Sequence, residues 1–298
     1  LMHSLINKIQ SKIKSNISLD YDMSKSTWFR AGGNALGYVI VNSISDLKTI
    51  ISYSDQIKYY IMGVGSNLMV RDGGFEGLII KLGKNFNKIK INKDTLSVGA
   101  GVLDINLAKF ALQNSIKDFE FFSGIPGTIG GAIKMNAGCY GSQTADNLKK
   151  ILVINKLGKI KYLKKDELEL KYRSSNLTDE LIVLKADFSC KHSSASEIIE
   201  KKNYIKLKRE SSQPIKEKTS GSTFKNPPGK YAAALIEKAG CKGMKNGGAS
   251  VSTIHSNFII NTGEATALDI ENLGKKIITK VQYKFGITLD WEIKIIGK

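Results

Sequence analysis

Apolar positions recur along this chain in two rhythms, a period near two and a period near three and a half, and they divide it into short strands and helices. Residues 36–41 (LGYVIV), 77–82 (GLIIKL) and 180–190 (ELIVLKADFSC) read as strands. Residues 59–68 (YYIMGVGSNL) read as a strand running into a glycine turn. From 86 to 102, Ile, Val and Leu alternate with Lys and Asn, the pattern of antiparallel strands. Residues 151–163 predict a hairpin turning at Leu157-Gly158, and 257–263 and 289–297 predict strands near the C-terminus. Helical spacing marks 44–54, opened by Ser43 or Ser45, and 102–114, with Leu103, Leu107, Phe110 and Ala111 on one face. It marks 195–210, 231–240 (stopped by Gly240) and 266–285 as well. The first fourteen residues read as a Lys-rich amphipathic helix, with Leu1 an expected addition ahead of Met2. Strands cluster between helices rather than alternating strictly with them, which is an α+β pattern. The polar stretch 211–222, with Pro214, is the expected boundary of a C-terminal domain.

One segment fits neither rhythm. Ser123–Gly141 (SGIPGTIGGAIKMNAGCYG) holds glycine at 124, 127, 130, 131, 138 and 141. Glycine loses more backbone entropy on folding than any other residue, so such density needs a reason. The reading is a loop whose backbone passes close to a ligand, its N–H groups forming a concave nest for phosphate oxygens. IGGAIKMNA within it predicts a short helix packed tightly at Gly130-Gly131. A second cluster, Gly63-Val64-Gly65-Ser66-Asn67, lies upstream. Two such loops suit a diphosphate ligand such as a dinucleotide; two tight turns are the plainer alternative. Leu68 stands where a Rossmann fingerprint needs its third glycine, and no Walker lysine–serine pair follows either loop.

Composition narrows the chemistry. The chain has 298 residues, 42% hydrophobic and 24% charged, enough for two or three domains of an ordinary globular protein. No apolar run approaches a membrane span, and the N-terminus lacks a secretory core, so a cytoplasmic location without a membrane partner is expected. Cys139, Cys190 and Cys241 are far apart, and His3, His192 and His255 are scattered, so no metal site is expected. The net charge of +18 points to an anionic partner. Only four of the 45 basic residues are arginine, however (Arg30, Arg71, Arg173, Arg209), and nucleic-acid interfaces favour arginine. A small polyanionic substrate fits better than nucleic acid. In a chain that uses lysine nearly everywhere, the arginines mark places that need a planar guanidinium.

Three further segments can carry chemistry. Arg173, in Tyr172-Arg173-Ser174-Ser175, is either a surface arginine or a bidentate carboxylate clamp. Ser222, in GSTFKNP (221–227), is either a helix cap or turn residue, or a hydroxyl that gives a proton to a strongly basic carbanion. No histidine accompanies it, which disfavours acyl transfer. Glu292 shares a face with Asp290 and Lys294 if 289–297 alternates as one strand, and is either a solvated edge carboxylate or a catalytic one.

Read together, these segments resemble one family. TWFRAGG (27–33), GVGSNLMVRDGGFEGLII (63–80), the glycine cassette, YRSS (172–175), RESSQP (209–214), GSTFKNP (221–227), AGCKGMKNGGASVSTIHSNFIIN (239–261) and LDWEIKIIG (289–297) are similar to UDP-N-acetylenolpyruvoylglucosamine reductases, in family order across nearly the whole chain. The resemblance implies an α+β fold: an FAD-binding, vanillyl-alcohol-oxidase-like (PCMH) fold of two subdomains, 1–82 and 83–195. A C-terminal α+β substrate-binding domain, 196–298, follows, and its last strand can return toward the FAD domain. It implies non-covalent FAD with NADPH as co-substrate. The reaction would be reduction of the enolpyruvyl ether UDP-N-acetyl-3-O-(1-carboxyvinyl)-glucosamine to UDP-N-acetylmuramate, a step of peptidoglycan precursor synthesis that serves cell-wall biogenesis, cell shape and division.

Residue by residue, Arg173, Ser222 and Glu292 match the catalytic set, with Ser222 the proton donor. Gly63, Gly65, Ser66, Asn67, Ser123, Gly124, Ile125, Pro126, Gly127, Gly130, Gly131, Asn136, Ala137 and Gly141 match the cofactor site. Tyr172, Lys225 and Asn226 match the substrate site. The gap of 222 − 173 = 49 residues resembles the shorter subtype, which lacks a tyrosine loop. Asn34 replaces a proline that commonly follows the paired glycines, and Ser212 stands where many relatives carry a diphosphate-binding lysine. Lys216, Lys218 and Lys225 are the alternatives for that charge. A monomer is expected. Another non-covalent FAD oxidoreductase of the same fold, and a non-redox nucleotide- or RNA-binding protein, are the competing readings.

Overall fold

The computed structural model describes residues 2–298; Leu1, expected to be an addition, lies outside them. The chain forms two compact units, each drawn from separate stretches. The first takes the chain through Leu19, then Gly37–Gly63 and Gly77–Lys208; the second takes Asp20–Leu36, Val64–Glu76 and Arg209–Lys298. The units interleave along the chain, whereas the sequence expectation divides it into consecutive stretches at 82/83 and 195/196.

A four-stranded sheet, most of whose residues belong to the first unit, runs in the order Ile17–Asp22, Asn34–Val41, Phe75–Leu82, Lys58–Met62. Its last two strands are parallel, with Tyr60 opposite Ile79. The helix Ile44–Ile51 begins at Ser43, whose hydroxyl accepts the Asp46 N–H. A second, antiparallel sheet runs Ile160–Lys164, Leu148–Asn155, Leu181–Ser189, Thr95–Gly99, Ile89–Asn92. The central strand Leu181–Ser189 buries Ile182, Val183, Leu184, Ala186 and Phe188, so its near-continuous apolar run reflects burial on both faces. Phe188 meets Phe119 edge-on at 5.7 Å between ring centres, and Phe121 and Phe122 lie 4.1 Å apart. This aromatic cluster anchors the turn Glu120–Gly124, from which the glycine cassette departs. The helices Asp104–Gln113 and Ile129–Met135 follow the predicted spacing.

The second unit is organised by the helix Ala267–Phe285. Its start is fixed twice. Thr266 and Asp269 form a capping box, and the Asp72 carboxylate accepts the N–H groups of Ala267 and Leu268 at 2.9 and 2.8 Å. Gly286 ends it at φ 66°. Arg71 forks onto Glu271, with Nε donating to Oε2 at 2.8 Å and Nη2 to Oε1 at 3.2 Å. Leu68–Val70 pairs in parallel with the last strand, Lys294–Ile296. That strand is shorter than expected. A bend at Ile293 separates it from Asp290–Glu292, which run instead beside 223–225.

Candidate functional site

In the first unit the cassette is a loop leading into a short helix, and it is packed by what glycine omits. A Cβ at Gly63 would stand 2.7 Å from Thr128 Oγ1, and one at Gly130 would stand 3.2 Å from the Ala100 carbonyl. The N–H groups of Ile129 and Gly130 already donate to the carbonyls of Val102 and Ala100, at 2.9 and 2.8 Å. Gly130 therefore serves close packing, as the predicted tight helix requires. Ser123 Oγ donates to the Glu120 carbonyl at 2.7 Å, and the Ile125 N–H donates to the Phe122 carbonyl, tying the loop's entry to the turn before it. Gly124 faces Cys139 and Tyr140, and Gly127 faces Asp104.

Asn136 adopts left-handed backbone at φ 41° and is 1% exposed. Its amide donates to Gln143 Oε1 and to the Lys171 carbonyl, and its oxygen accepts the Ala145 N–H. The Ala137 carbonyl accepts from both the N–H and the hydroxyl of Thr144. Gly141 turns the chain at φ 82° between two short paired strands. Lys171 and Ser174 exchange backbone hydrogen bonds, closing a tight turn with Tyr172 and Arg173 at its tip. Arg173 also holds positive φ, 52°, and its Nη2 donates to the Gly138 carbonyl at 2.9 Å. The structure thus brings Arg173 against the cassette. A left-handed backbone is costly for a residue other than glycine, and such strain concentrates at functional sites.

The second unit holds the rest. Gly65, at φ 71°, crosses the Ser26 carbonyl so closely that no side chain fits. Trp28 N–H donates to the Gly65 carbonyl at 3.0 Å, which pins the turn that carries Ser66 and Asn67. Asn67 Nδ2 donates to the Glu292 carbonyl at 3.0 Å, and its own carbonyl accepts the Lys294 N–H. The Glu292 N–H donates to the Thr223 carbonyl at 2.9 Å, and the Lys225 N–H to the Asp290 carbonyl at 2.8 Å. Ser222 bridges to Phe258, and the rings of Phe224 and Trp291 meet at a tilt with centres 5.0 Å apart. Asn67, Ser222, Lys225 and Glu292, far apart in sequence, therefore share one backbone lattice. Asn226 Oδ1 accepts the Ala232 N–H and orders the loop after it. Asn257, 4% exposed, is the residue sequence reading missed here: its amide accepts from Phe224 N–H and donates to the Phe224 carbonyl. It lay inside a matched segment, but one asparagine among many carries no signal. His255 accepts the Asn257 N–H on Nδ1, and burial lowers its pKa, which keeps it a neutral structural residue.

The glycine loops and mostly apolar lining suit a dinucleotide cofactor in kind, and a small cavity offers room for part of one. In the first unit a cavity of about 100 Å³ is lined by Tyr60, Gly63, Thr128, Gly131, Lys134 and Ile182, so the two glycine segments of that unit open on one space. Burial, followed by the nearby Asp179 charge, pushes the Tyr60 hydroxyl up to about 12, leaving a neutral donor in the lining. Apolar walls with a few placed polar groups are the usual character of a cofactor site. The sequence pattern marks Tyr60 and Ile182 only as strand residues. Among the described residues no cluster of ligating side chains suits a metal ion.

The comparisons agree with this anatomy. Residues 35–164 match an FAD-binding domain, and residues 213–296 match the C-terminal domain of UDP-N-acetylenolpyruvoylglucosamine reductase. The chain is 47% identical to the reductase of that name from Rickettsia typhi, over 96% of this chain and 97% of the relative. It is 45% identical to the Rickettsia conorii reductase over the same shares. The crystal structure of the reductase from Thermus caldophilus superposes with a TM-score of 0.82 at 32% identity, covering 95% of this chain and 98% of that one. Sequence, site and fold converge, and the chain belongs to the UDP-N-acetylenolpyruvoylglucosamine reductase family.

Proposed function

We propose that Arg173, Ser222 and Glu292 carry the reduction of the enolpyruvyl ether of UDP-N-acetylglucosamine to UDP-N-acetylmuramate in this chain. The protein is an FAD- and NADPH-dependent oxidoreductase of peptidoglycan precursor synthesis. Bound FAD, reduced by NADPH, supplies the hydride. Addition at the terminal vinyl carbon pushes negative charge toward a group that already bears a carboxylate. Arg173 offers a fixed guanidinium for that charge, which is worth most where the donor is held in place beforehand. Ser222 gives its hydroxyl proton to the carbon that bears the carboxylate; serine is a weak acid, but this carbanion is a strong base. Glu292 acts at the carboxylate end, either protonated or by orienting Arg173 and water. Tyr172, Lys225 and Asn226 hold the substrate. The diphosphate of FAD lies on Gly63, Gly65, Ser66, Asn67 and the cassette, without a covalent tether.

The observation that carries this reading is the backbone lattice that joins Ser222, Lys225 and Glu292, in which Thr223 accepts from Glu292 and Asp290 accepts from Lys225. This pairing holds two segments distant in sequence side by side, so the backbone that carries Ser222 and Lys225 is fixed against the backbone that carries Glu292. With Ser212 in place of the usual lysine, Lys216, Lys218 or Lys225 meets the substrate diphosphate. The short interval from Arg173 to Ser222 assigns the chain to the subtype without a tyrosine loop, and it acts as a cytoplasmic monomer. The test is Ser222→Ala. Bleaching of the flavin by NADPH is expected at the wild-type rate, with overall turnover reduced roughly 10²–10⁴-fold. Wild-type turnover would remove Ser222 as the proton donor.

A further inference from the structure

Asp104 is an anomaly of the first unit. It opens the helix Asp104–Gln113, is fully buried, and neither of its carboxyl oxygens has a hydrogen-bond partner. Buried polar groups almost always find partners, and one that does not is costly to keep. Its position is specific. The Asp104 N–H donates to the Gly127 carbonyl at 3.0 Å, and Leu103 bridges to Thr128. A Cβ added at Gly127 would stand 2.5 Å from Asp104 Oδ2. The space that Gly127 leaves empty is the space that the Asp104 carboxyl fills.

The geometry points to Asp104 as a positioning residue of the cofactor loop: its carboxyl props the backbone at Gly127 from beneath and sets the height at which the loop meets the FAD diphosphate. The inference rests on the reading that the cassette binds that diphosphate. It also gives Gly127 a reason of its own, since any side chain there would displace the prop. The prop has to be uncharged, because an anion under the loop would repel the diphosphate. Burial alone raises the Asp104 pKa well above the usual carboxylate range. Titratable groups on the elements packed against it are Glu120, in the turn Glu120–Gly124, and Lys109, on its own helix; neither contributes to the shift. Because the folded chain holds this proton more tightly than the unfolded one, the stability it contributes is complete below about pH 4. That stability is lost as the pH rises through the folded-state value.

The experiment strips FAD from the full chain. It measures the melting midpoint of the stripped chain from about pH 5 to 9, a range that lies above the unfolded carboxylate pKa, and the Kd for added FAD by quenching of flavin fluorescence. Asp104→Asn keeps the shape and removes the proton. It is expected to bind FAD within about threefold of wild type and to lack the wild-type decline in stability with rising pH. Glu120→Gln should leave that decline in place. Asp104→Ala removes the prop and should weaken FAD binding by about tenfold or more. An Asp104→Asn chain that declines like wild type would overturn the assignment, and this comparison stands even if the alanine variant fails to fold. An alanine variant that melts earlier yet binds FAD like wild type would fault the placement of the diphosphate on the cassette, and this inference with it. Wild-type behaviour of the alanine variant in both measurements would remove the prop while leaving the cassette reading intact.

Discussion

Arg173 and Arg71 show what an arginine does in a chain built mostly on lysine. Arg71 uses both edges of its guanidinium on Glu271, which is 6% exposed, and this hydrogen-bonded pair holds the Glu271 carboxyl below the usual range, against the cost of burying it. A depressed carboxylate contributes stability above its unfolded pKa and loses it as the pH falls through its folded value. Glu271→Gln is therefore expected to flatten part of the acid limb of the unfolding curve, below about pH 4.5, and to cost roughly 2 kcal/mol at neutral pH. Thermal melts across that range check it. The sequence reading took every arginine as a place for a planar cation. For Arg71 that is right about the chemistry, and the partner the structure shows is the Glu271 carboxylate on a helix of the same unit. At Arg173 the guanidinium stays near the cassette through Gly138. Arg173→Lys keeps the charge but loses the fork, and kcat should fall roughly 10²-fold while NADPH still bleaches the flavin at the wild-type rate. Equal slowing of both half-reactions would show a general structural defect instead.

At the scale of elements, what could be read was whatever repeated. The helices at 44–51, 104–113 and 267–285 and the hairpin around Gly158 follow apolar spacing, and Ser43 and Gly240 punctuate as expected; the caps Thr266 and Gly286 are added by the structure. The strand Ile17–Asp22 was not legible, because only Ile17 is buried in it and ISLDYD carries no period. The C-terminal strand was read as too long, since the bend at Ile293 is set by pairing with residues 223–225, a contact no local pattern announces. Gly274 shows how packing overrides propensity. It lies inside the helix Ala267–Phe285, where alanine would ordinarily gain about 1 kcal/mol. The indole of Trp291 fills the place of its missing side chain. Overpacking costs about 1–3 kcal/mol, so Gly274→Ala should lower the melting temperature. A rise would mean that Trp291 yields freely. Since Trp291 packs against Phe224 two residues from Ser222, the same variant should disturb turnover as well.

At the scale of the whole molecule, the ordered set of motifs points to the family, the cofactor and the reaction from the sequence alone, because each motif answers to one chemical need. What the motifs withheld is the support beneath them. Asn257 clamps both sides of Phe224, and Asp104 lies under Gly127, yet each is a single common residue whose role exists only in three dimensions. The residues proposed to act are drawn from both units. Arg173 and the cassette belong to the first, and Ser222, Lys225 and Glu292 to the second. The most direct test of this account follows the flavin absorbance of Ser222→Ala beside wild type, in anaerobic stopped flow. NADPH is added first and the enolpyruvyl ether second. The account predicts equal bleaching by NADPH in both, with recovery of the oxidised bands on adding the ether fast in wild type and slowed roughly 10²-fold or more in the variant. Recovery at the wild-type rate with complete formation of the lactyl ether would contradict it and move the proton to another group.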